Sequence, residues 1–168
     1  FIDGGDGIDW LNYENEDSDP KNITGNGVTV DLEKQSAVDN WGNKDKIFNV
    51  ENVIGSRFSD ILIGNASNNF LSGQAGNDDI YGYAGNDWLI GGSGDDHLYG
   101  GIGDDYFQGD SGSDTIDGGS GSDWITYSSY KTLDATNPPN QTGTIVDLET
   151  GLATDNWGAI DNIINIAV

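Results

Sequence analysis

The feature that most constrains this chain is an uninterrupted nine-residue period between residues 55 and 126. Eight nonapeptides follow one another there without insertion, from GSRFSDILI through GGSGDDHLY to GGSGSDWIT. Each begins with glycine and carries an apolar residue at its eighth position, from Leu62 to Ile125. A ninth copy, GGDGIDWLN, stands at residues 4–12. A period of this kind is typical of stacked repeat units rather than of an irregular globular core.

The pattern within each unit predicts the geometry of the stack. One apolar residue between two outward neighbours predicts a three-residue strand whose centre points inward. The six preceding residues are expected to form a turn, in which glycine permits a positive φ. Two nonapeptides then make one coil with a strand on each side of a thin sandwich, and successive coils pair their strands about 4.8 Å apart. Residues nine apart therefore lie on opposite edges, and residues 18 apart lie directly above one another.

The sixth position of each unit carries an oxygen-bearing side chain, and stacking arranges these side chains in two columns. One column is Asp60, Asp78, Asp96 and Asp114, and the other is Asn69, Asp87, Asp105 and Asp123. Unit charges about 5 Å apart repel each other by roughly 0.8 kcal/mol even in water. The block has twelve Asp, no Glu and one Arg, a net charge of −11. Oxygen ligands without sulfur or imidazole favour Ca²⁺ in flexible coordination, so the columns predict calcium sites.

Neighbouring carboxylates of one column can share an ion, which gives six candidate pairs: 60/78, 78/96, 96/114, 69/87, 87/105 and 105/123. The pairs 60/78 and 69/87 are the weakest, because Arg57 and Phe58 interrupt the first unit and Asn69 replaces the acid in the second. We therefore expect about four to six Ca²⁺ ions. Asp9 is a further candidate ligand, whose stacking partner is expected to be missing or to lie upstream of Phe1.

The repeat resembles the G-G-x-G-x-D-x-U-x nonapeptide of RTX proteins. The resemblance implies an all-β fold, a right-handed parallel β-roll (RTX solenoid) with flanking β-rich connector or capping segments. It also implies that carbonyl groups at positions one to four of the turns join the position-six side chains as calcium ligands. The glycines that the resemblance assigns to these metal sites are Gly73, Gly76, Gly82, Gly85, Gly91, Gly92, Gly94, Gly100, Gly101, Gly103, Gly109, Gly112, Gly118, Gly119 and Gly121.

A longer period predicts the domain organisation. The segment GVTVDLEKQSAVDNWGNKDKIFNV is similar to GTIVDLETGLATDNWGAIDNIINI, which lies 116 residues further along the chain. We expect residues 1–12 to end a preceding roll, 13–54 to form a connector or cap, 55–126 to form the roll, and 127–168 to form a second connector that leads to a next roll. Within the first connector, alternating Val28, Val30 and Leu32 predict a half-buried strand. Trp41 and Trp157 are expected to plug caps of the solenoid.

Composition excludes several functions. The 168 residues contain 29 acids against six Lys plus Arg, a formal charge of −23, and no cysteine. A polyanion of this kind is not expected to bind nucleic acid, which requires a basic surface. No apolar run is long enough to span a bilayer, so membrane insertion is not expected. H-E-x-x-H and G-x-S-x-G are absent, and the lone His97 is expected to be a surface residue, so we predict no enzymatic activity. The chain lacks Met, which suggests a fragment of a longer protein.

The resemblance implies a calcium-binding, non-enzymatic module of a large bacterial protein exported by type I secretion, located outside the cell or on its surface. Its expected role is to fold on Ca²⁺ after export and to space or present other domains, with neighbouring copies in a tandem array as partners. Two alternatives stay open. One is a module that binds carbohydrate or a cell surface, as in an adhesin, and the other is an accessory repeat of a secreted enzyme.

An aromatic stripe supports the first alternative. In every second unit, position seven is aromatic: Phe70, Trp88, Tyr106 and Trp124. These four residues, the aromatic stripe, are predicted to stack on one outer face about 4.8 Å apart. Contiguous exposed apolar surface commonly marks an interface. The stripe is therefore either covered by a connector or a neighbouring copy, or a flat platform for sugar rings or a partner surface.

Overall fold

The structure, a computed structural model, describes residues 1–15, 25–126, 145–147, 151–154 and 158–166. Residues 14–26 and 130–143, whose Pro, Ser, Thr and Asn are typical of surface loops, lie almost entirely outside these ranges. The described residues form strands, and they contain no helix that could cross a membrane. In chain order the strands are β1 (Ile2–Asp3), β2 (Trp10–Asn12), β3 (Thr29–Asp31), β4 (Ser36–Val38), β5 (Lys44–Phe48), β6 (Asn52–Ile54), β7 (Ile61–Ile63), β8 (Phe70–Ala75), β9 (Asp79–Ala84), β10 (Trp88–Ser93), β11 (His97–Ile102), β12 (Tyr106–Ser111), β13 (Thr115–Ser120), β14 (Trp124–Ile125), β15 (Ile145–Asp147), β16 (Leu152–Thr154) and β17 (Ile160–Ile164).

The nonapeptides form the predicted parallel solenoid. Odd-numbered strands β7 to β13 stack in one sheet, and even-numbered strands β8 to β14 stack in the other. Every pairing within the repeats is parallel and joins residues 18 apart, such as Trp88 with Tyr106 and Leu98 with Ile116. The expectation that two nonapeptides make one coil is confirmed by this register. The fold is the all-β roll that the repeat predicted.

The strands are longer than predicted. Most run for six residues, from position seven of one unit to position three of the next, rather than for three. Burial alternates along them, and the position-one glycine faces inward as the position-eight residue does. Glycine at position one resembles a turn residue in the sequence. In the structure it continues the strand, because it is the only residue small enough to lie against the side chain of its own unit.

The core is a thin stack of position-eight side chains. Leu62, Leu71, Ile80, Leu89, Leu98, Phe107 and Ile116 are completely buried, and Ile125 at the end of the stack is partly buried. Each coil contributes one such residue from each sheet, so the apolar layer is about two side chains thick. Burial of a full aliphatic side chain stabilises a fold by about 1.5–3 kcal/mol, and a core this narrow has few such contributions.

The first connector extends both sheets. Strands β3, β4 and β5 form an antiparallel meander, in which β3 joins β7 in parallel and β5 joins β1 in parallel. Strand β6 lies between β2 and β8 in the other sheet. Val28, Val30 and Leu32 are buried, as their alternation predicted. The predicted role of Trp41 is wrong: its side chain is 46% exposed on the Asp39–Asn43 turn, which closes through hydrogen bonds of the Asp39 carboxylate. Trp157 lies outside the described residues.

The second connector repeats this arrangement at the other end. Strand β17 pairs in parallel with β13, joining Ile163 to Ile116, as β5 pairs with β1, joining Ile47 to Ile2. Ile47 and Ile163 are 116 residues apart in the sequence, and Ile2 and Ile116 are 114 apart. Two similar sequences therefore form two similar junctions. The division of the chain into rolls and connectors stays a prediction.

Candidate metal centre

The position-six side chains form the two predicted columns. All eight are buried, with at most 3% of any residue exposed: Asp60, Asn69, Asp78, Asp87, Asp96, Asp105, Asp114 and Asp123. Buried carboxylates are rare in proteins unless a partner offsets the loss of water. The partners of these side chains therefore decide what the columns can do.

One oxygen of each carboxylate has a backbone partner. The N–H of a position-six residue donates to Oδ1 of the position-six side chain in the next coil, at 2.7–3.0 Å. Asp96 illustrates this, because its Oδ1 accepts from Asp78 and its own N–H donates to Asp114. The bond fixes the position of Oδ1 in each of these carboxylates and leaves Oδ2 for a different partner.

The second oxygen, Oδ2, has no such backbone partner in five of these aspartates. Oδ2 of Asp78, Asp87, Asp96, Asp105 and Asp123 is buried and accepts no hydrogen bond from the described residues. A buried acceptor left unsatisfied costs about 1–3 kcal/mol, and more when it is charged. These oxygens are therefore suited to a ligand that the protein chain itself does not supply, and a cation is the complementary species.

Glycine at position one leaves room beside these oxygens. A Cβ added to Gly82 would collide with Oδ2 of Asp87 and would lie 2.7 Å from the carbonyl oxygen of Gly100. A carboxylate oxygen and a carbonyl oxygen of the next coil thus converge on one point. The same collision with the carboxylate of the unit occurs at Gly73, Gly91, Gly100, Gly109 and Gly118. The donor set is composed of oxygen alone, which fits the hard cation Ca²⁺.

The turns also require unusual backbone angles. Position four has a positive φ at Gly76, Gly85, Gly94, Gly103, Gly112 and Gly121. A Cβ at Gly94 would collide with the carbonyl of Gly76 in the coil below, so the coils approach too closely there for any side chain. Position two also has a positive φ in the last six units, at Gly92, Gly101 and Gly119 and at Gln74, Tyr83 and Asp110. Gln74, Tyr83 and Asp110 therefore adopt a positive φ, which is uncommon for residues other than glycine.

Burial alters the acidity of the columns. Burial raises the pKa of Asp78 and Asp87 to about 7 and that of Asp96 to about 8, and neighbouring carboxylates add to the effect. Burial also raises the pKa of Asp105. Hydrogen bonds from the backbone oppose these shifts but do not cancel them. Without a cation, the columns therefore retain protons at a pH where free aspartate is fully ionised.

The first coil, residues 55–72, differs from the later coils, residues 73–126. Asp60 accepts through Oδ2 from the N–H of Ser56 at 2.5 Å and through Oδ1 from the N–H of Val28 at 2.6 Å. Asn69 accepts from the N–H of Asn65 and donates to the carbonyl oxygen of Glu51, both at 2.8 Å. Backbone groups thus satisfy both oxygens of the Asp60 carboxylate, and both the oxygen and the nitrogen of the Asn69 amide.

The cause is the backbone at position two. Ser56 and Asn65 occupy this position in the first coil, and neither has the positive φ that the later coils adopt there. Their N–H groups therefore point at the position-six side chain. In the later coils the second carboxylate oxygen receives no such bond. The expectation that pairs 60/78 and 69/87 are the weakest agrees with this geometry.

Three acidic residues outside the repeats occupy places equivalent to position six, next to the two columns, and the sequence analysis missed all three. Asp161 is fully buried, and its Oδ1 accepts from the N–H of Asp114 at 3.0 Å. Asp45 stands at the equivalent position of the first connector, 116 residues earlier. Asp45 and Asp161 each precede by two residues an isoleucine that continues the core, which is the D-x-U spacing of the repeat. That spacing could have identified both residues.

Glu51 is the third, and it corrects the prediction for Asp9. Its Oε2 accepts from the N–H of Asp9 at 2.9 Å, so the stacking partner of Asp9 is present in the chain 42 residues later. The prediction placed that partner upstream or left it missing, because the connector between the two residues hides the stacking. Oδ2 of Asp9 is buried without a hydrogen bond, as in the later coils.

A second ladder, also missed, runs along position five. The side chain at this position accepts from the N–H of position five in the next coil, in the direction opposite to the position-six ladder. The acceptors are Ser59, Asn68, Asn77, Asn86, Asp95 and Asp104. The sequence conceals this ladder, because Ser, Asn and Asp look like ordinary turn residues although all three supply the same acceptor.

No site in the described part of the chain gathers three or more His, Cys, Asp or Glu side chains. A cation held here must therefore use backbone carbonyl oxygens in addition to one or two carboxylates. His97 is exposed, and its Nδ1 lies 2.8 Å from Oδ1 of Asp79, as expected of a surface residue.

The aromatic stripe lies on the outer face of the even-numbered sheet. Its residues pair in register from Phe70 through Trp88 and Tyr106 to Trp124. The ring of Trp10 extends the row, with its centroid 5.0 Å from that of Phe70. From Trp10 to Tyr106 the neighbouring ring planes are inclined by 51° to 70°, so this part of the surface is stepped and not flat, as the platform alternative assumed.

Comparison with known families agrees with this geometry. A family model of the RTX calcium-binding nonapeptide repeat, which covers four copies, matches residues 54–89 and again residues 90–125. No curated protein matches the sequence. The matched residues are those of the parallel coils, with the buried aspartate columns and the inward glycines. Residues 54–125 of this chain therefore carry RTX calcium-binding nonapeptide repeats, folded as a parallel β-roll.

Proposed function

We propose that this chain is a structural module that folds when it binds Ca²⁺ after export, and that it spaces or presents other domains of a larger extracellular protein. The observation that carries the proposal is the set of buried Oδ2 atoms of Asp78, Asp87, Asp96, Asp105 and Asp123, which accept no hydrogen bond from the described residues. A fold that buries them needs a cation or protons. RTX repeats occur in secreted bacterial proteins, and the repeat is a structural rather than a catalytic element.

The residues that would hold the ions are the position-six aspartates of the later coils, together with carbonyl groups of the glycine turns. Bound Ca²⁺ would supply the positive charge that offsets the carboxylates of both columns. The chain's own part is to orient Oδ1 through the backbone ladder, to direct Oδ2 toward the carbonyl oxygen of the next coil, and to exclude side chains at positions one and four.

We infer four principal sites, at the pairs 78/96, 96/114, 87/105 and 105/123, since each of these pairs has two carboxylates and lies wholly within the later coils. The first coil is a metal-independent cap, because backbone N–H groups and the amide of Asn69 take the place of cations there. The connector supports this cap through Val28 and Glu51, which bond to Asp60 and Asn69.

The charge of the roll explains why calcium would control folding. The block 55–126 carries −11, and its apolar core is narrow. Extracellular calcium modules bind with Kd of about 10⁻⁴–10⁻³ M. At tenfold that concentration each site contributes roughly 1.4 kcal/mol, so four sites add about 6 kcal/mol. This is comparable with the total stability of many domains. Where free Ca²⁺ is scarce, as in the cytosol, the chain is expected to stay unfolded and competent for export.

Circular dichroism of the full chain tests the proposal. We expect a weak β signal in EDTA at neutral pH and a cooperative gain of β signal as CaCl₂ is added. Mg²⁺ at the same concentration serves as the control, and it should restore little of the signal because it requires a smaller octahedral site. A full β signal in EDTA at neutral pH would contradict calcium-driven folding.

A further inference from the structure

The outward residues at positions seven and nine of the even-numbered sheet carry no formal charge, although the chain carries −23. The carboxylate that borders them in β12 is that of Asp110 at position two, which accepts a hydrogen bond from the amide of Gln108 at 2.8 Å. This uncharged face consists of positions seven and nine of six stacked strands. Its position-seven residues are Trp10, Asn52, Phe70, Trp88, Tyr106 and Trp124, and its position-nine residues are Asn12, Ile54, Ser72, Ile90, Gln108 and Thr126. Asn52 and Ser72 are buried, and the other ten positions are exposed or partly exposed. Ten neutral positions in register depart strongly from the rest of the surface of this acidic solenoid.

The opposite face differs. Its outward positions on β9 and β13 include Asp79 and Asp117, and His97 stands beside Asp79. Two tyrosines, Tyr81 and Tyr99, stack there with parallel rings 5.0 Å apart. The two faces arise from the same repeat, so the absence of charge on one of them is a property of the residues placed there and not of the fold.

The indoles of the uncharged face are accessible. Trp10, Trp88 and Trp124 are 52%, 46% and 57% exposed, whereas Phe70 and Tyr106 between them are half-buried. Trp88 and Trp124 are two strands apart, about 10 Å at the usual strand spacing. Exposed aromatic side chains thus recur along the solenoid axis with less exposed rings between them.

The chemistry of this face selects its partner. Aromatic rings offer large rigid surfaces to C–H groups. The amide of Gln108 donates through Nε2 to Asp110 and offers its oxygen as an acceptor, and the amide of Asn12 accepts through Oδ1 from the N–H of Glu14 and offers its nitrogen as a donor. Nucleic acids, anionic polysaccharides and a second copy of this acidic chain are disfavoured by the overall charge. A cationic partner would find no carboxylate among these twelve positions. The complementary ligand is neutral, rich in hydroxyl groups and extended along a straight row.

We propose that the uncharged face is a binding surface for an uncharged polysaccharide that runs along the row from Trp10 to Trp124. The exposed indoles contact the C–H surfaces of sugar rings, and the flanking amide and hydroxyl side chains bond to sugar hydroxyl groups. The stepped row provides contacts at intervals comparable with the length of a disaccharide, so a polymer gains contacts that a single sugar does not.

Affinity electrophoresis in native gels containing CaCl₂ tests this proposal. The probes are hydroxyethylcellulose, galactomannan and dextran as uncharged polysaccharides, and hyaluronate as a charged one. We expect retardation in at least one uncharged gel and none in hyaluronate. Substitutions Trp88→Ala and Trp124→Ala should each weaken the retardation about tenfold, as for aromatic residues at the centre of an interface. Tyr99→Ala on the opposite face is the matched control and should bind as the parent does.

Circular dichroism of every variant separates binding from folding. If the roll folds and no uncharged gel retards it, the proposal is wrong, while calcium-driven folding stands. Equal retardation by Trp88→Ala and Tyr99→Ala, or equal retardation in hyaluronate, would also overturn it. Acrylamide quenching of tryptophan in the free chain tests whether another part of the molecule covers the row. Quenching should fall in Trp88→Phe relative to the parent, and an unchanged quenching constant would show that Trp88 is shielded.

Discussion

The first coil and the later coils are built from the same nonapeptide, yet they satisfy the position-six side chain in different ways. In the first coil, the N–H groups of Ser56 and Asn65 reach that side chain. In the later coils, position two adopts a positive φ, and Oδ2 of Asp78, Asp87, Asp96, Asp105 and Asp123 accepts no hydrogen bond from the described residues. A backbone N–H group and a cation are therefore alternative partners for the same oxygen, and one backbone angle decides between them.

The largest effect is expected from Asp96→Ala. Asp96 belongs to the pairs 78/96 and 96/114, so its loss should remove up to two ions. At a calcium concentration tenfold above Kd, two sites amount to about 3 kcal/mol. Calcium titration followed by circular dichroism should give a higher midpoint, and equilibrium dialysis should give fewer bound ions. Asp79→Ala is the control, because Asp79 is an outward neighbour of the column and should change stability by less than about 0.5 kcal/mol. Equal midpoints for the two variants would argue against the columns as calcium sites.

Asn69→Ala should have a smaller effect of a different kind. The change removes the bonds from Asn65 and to Glu51, and each lost hydrogen bond costs about 1 kcal/mol. Urea unfolding in CaCl₂ should show about 2 kcal/mol lower stability, with the number of bound ions unchanged. A loss of one ion in this variant would show that the first coil does bind metal.

Restoring the repeat in the first coil should convert it into a metal site. The triple substitution Asn65→Gly, Ser67→Gly and Asn69→Asp gives this unit the glycines and the aspartate of the later coils. We expect one additional ion, because position two can then adopt a positive φ and the pair 69/87 becomes complete. Asn69→Asp alone is the control, and it should lose stability without gaining an ion, since the new carboxylate would face the carbonyl oxygen of Glu51. An extra ion in the single variant would contradict the role of the backbone.

Acid should partly replace calcium. The folded-state pKa values of Asp78 and Asp87 are about 7 and that of Asp96 is about 8, above the value of about 3.9 in an unfolded chain. Between these values the folded state binds more protons, so stability in EDTA falls as pH rises from about 4 to about 8. The β signal in EDTA should therefore increase on acidification from pH 8 to pH 5. In CaCl₂ the opposite trend is expected, because protons compete with the cation. An EDTA signal that stays constant over this range would contradict protonation of the columns.

Much of the roll follows from the sequence. The coil of two nonapeptides, the parallel register, the buried eighth position and the two aspartate columns all come from a strict period, and the structure has each of them. Periodicity succeeds here because each coil meets only its neighbours, so local spacing determines long-range contacts.

The remainder depends on backbone angles and on chain segments that the period does not reach. Gly73 and its equivalents look like turn residues but lie in strands. Ser56 and Asn65 give no indication in the sequence that their N–H groups turn inward. Glu51 and Asp161 enter the ladder across connectors of different lengths, which hides their register from any fixed spacing. Trp41 lies on a turn that no coil covers.

The most direct test of the central claim is anomalous diffraction from crystals of this chain grown in CaCl₂. We predict ions within about 2.3–2.6 Å of Oδ2 of Asp96 and Asp105, with carbonyl oxygens of the glycine turns completing the coordination. We predict no ion in contact with Asn69, whose amide bonds to the carbonyl oxygen of Glu51. Ions absent from the later coils, or an ion bound at Asn69, would contradict the proposal that a cation and a backbone N–H group substitute for one another along this roll.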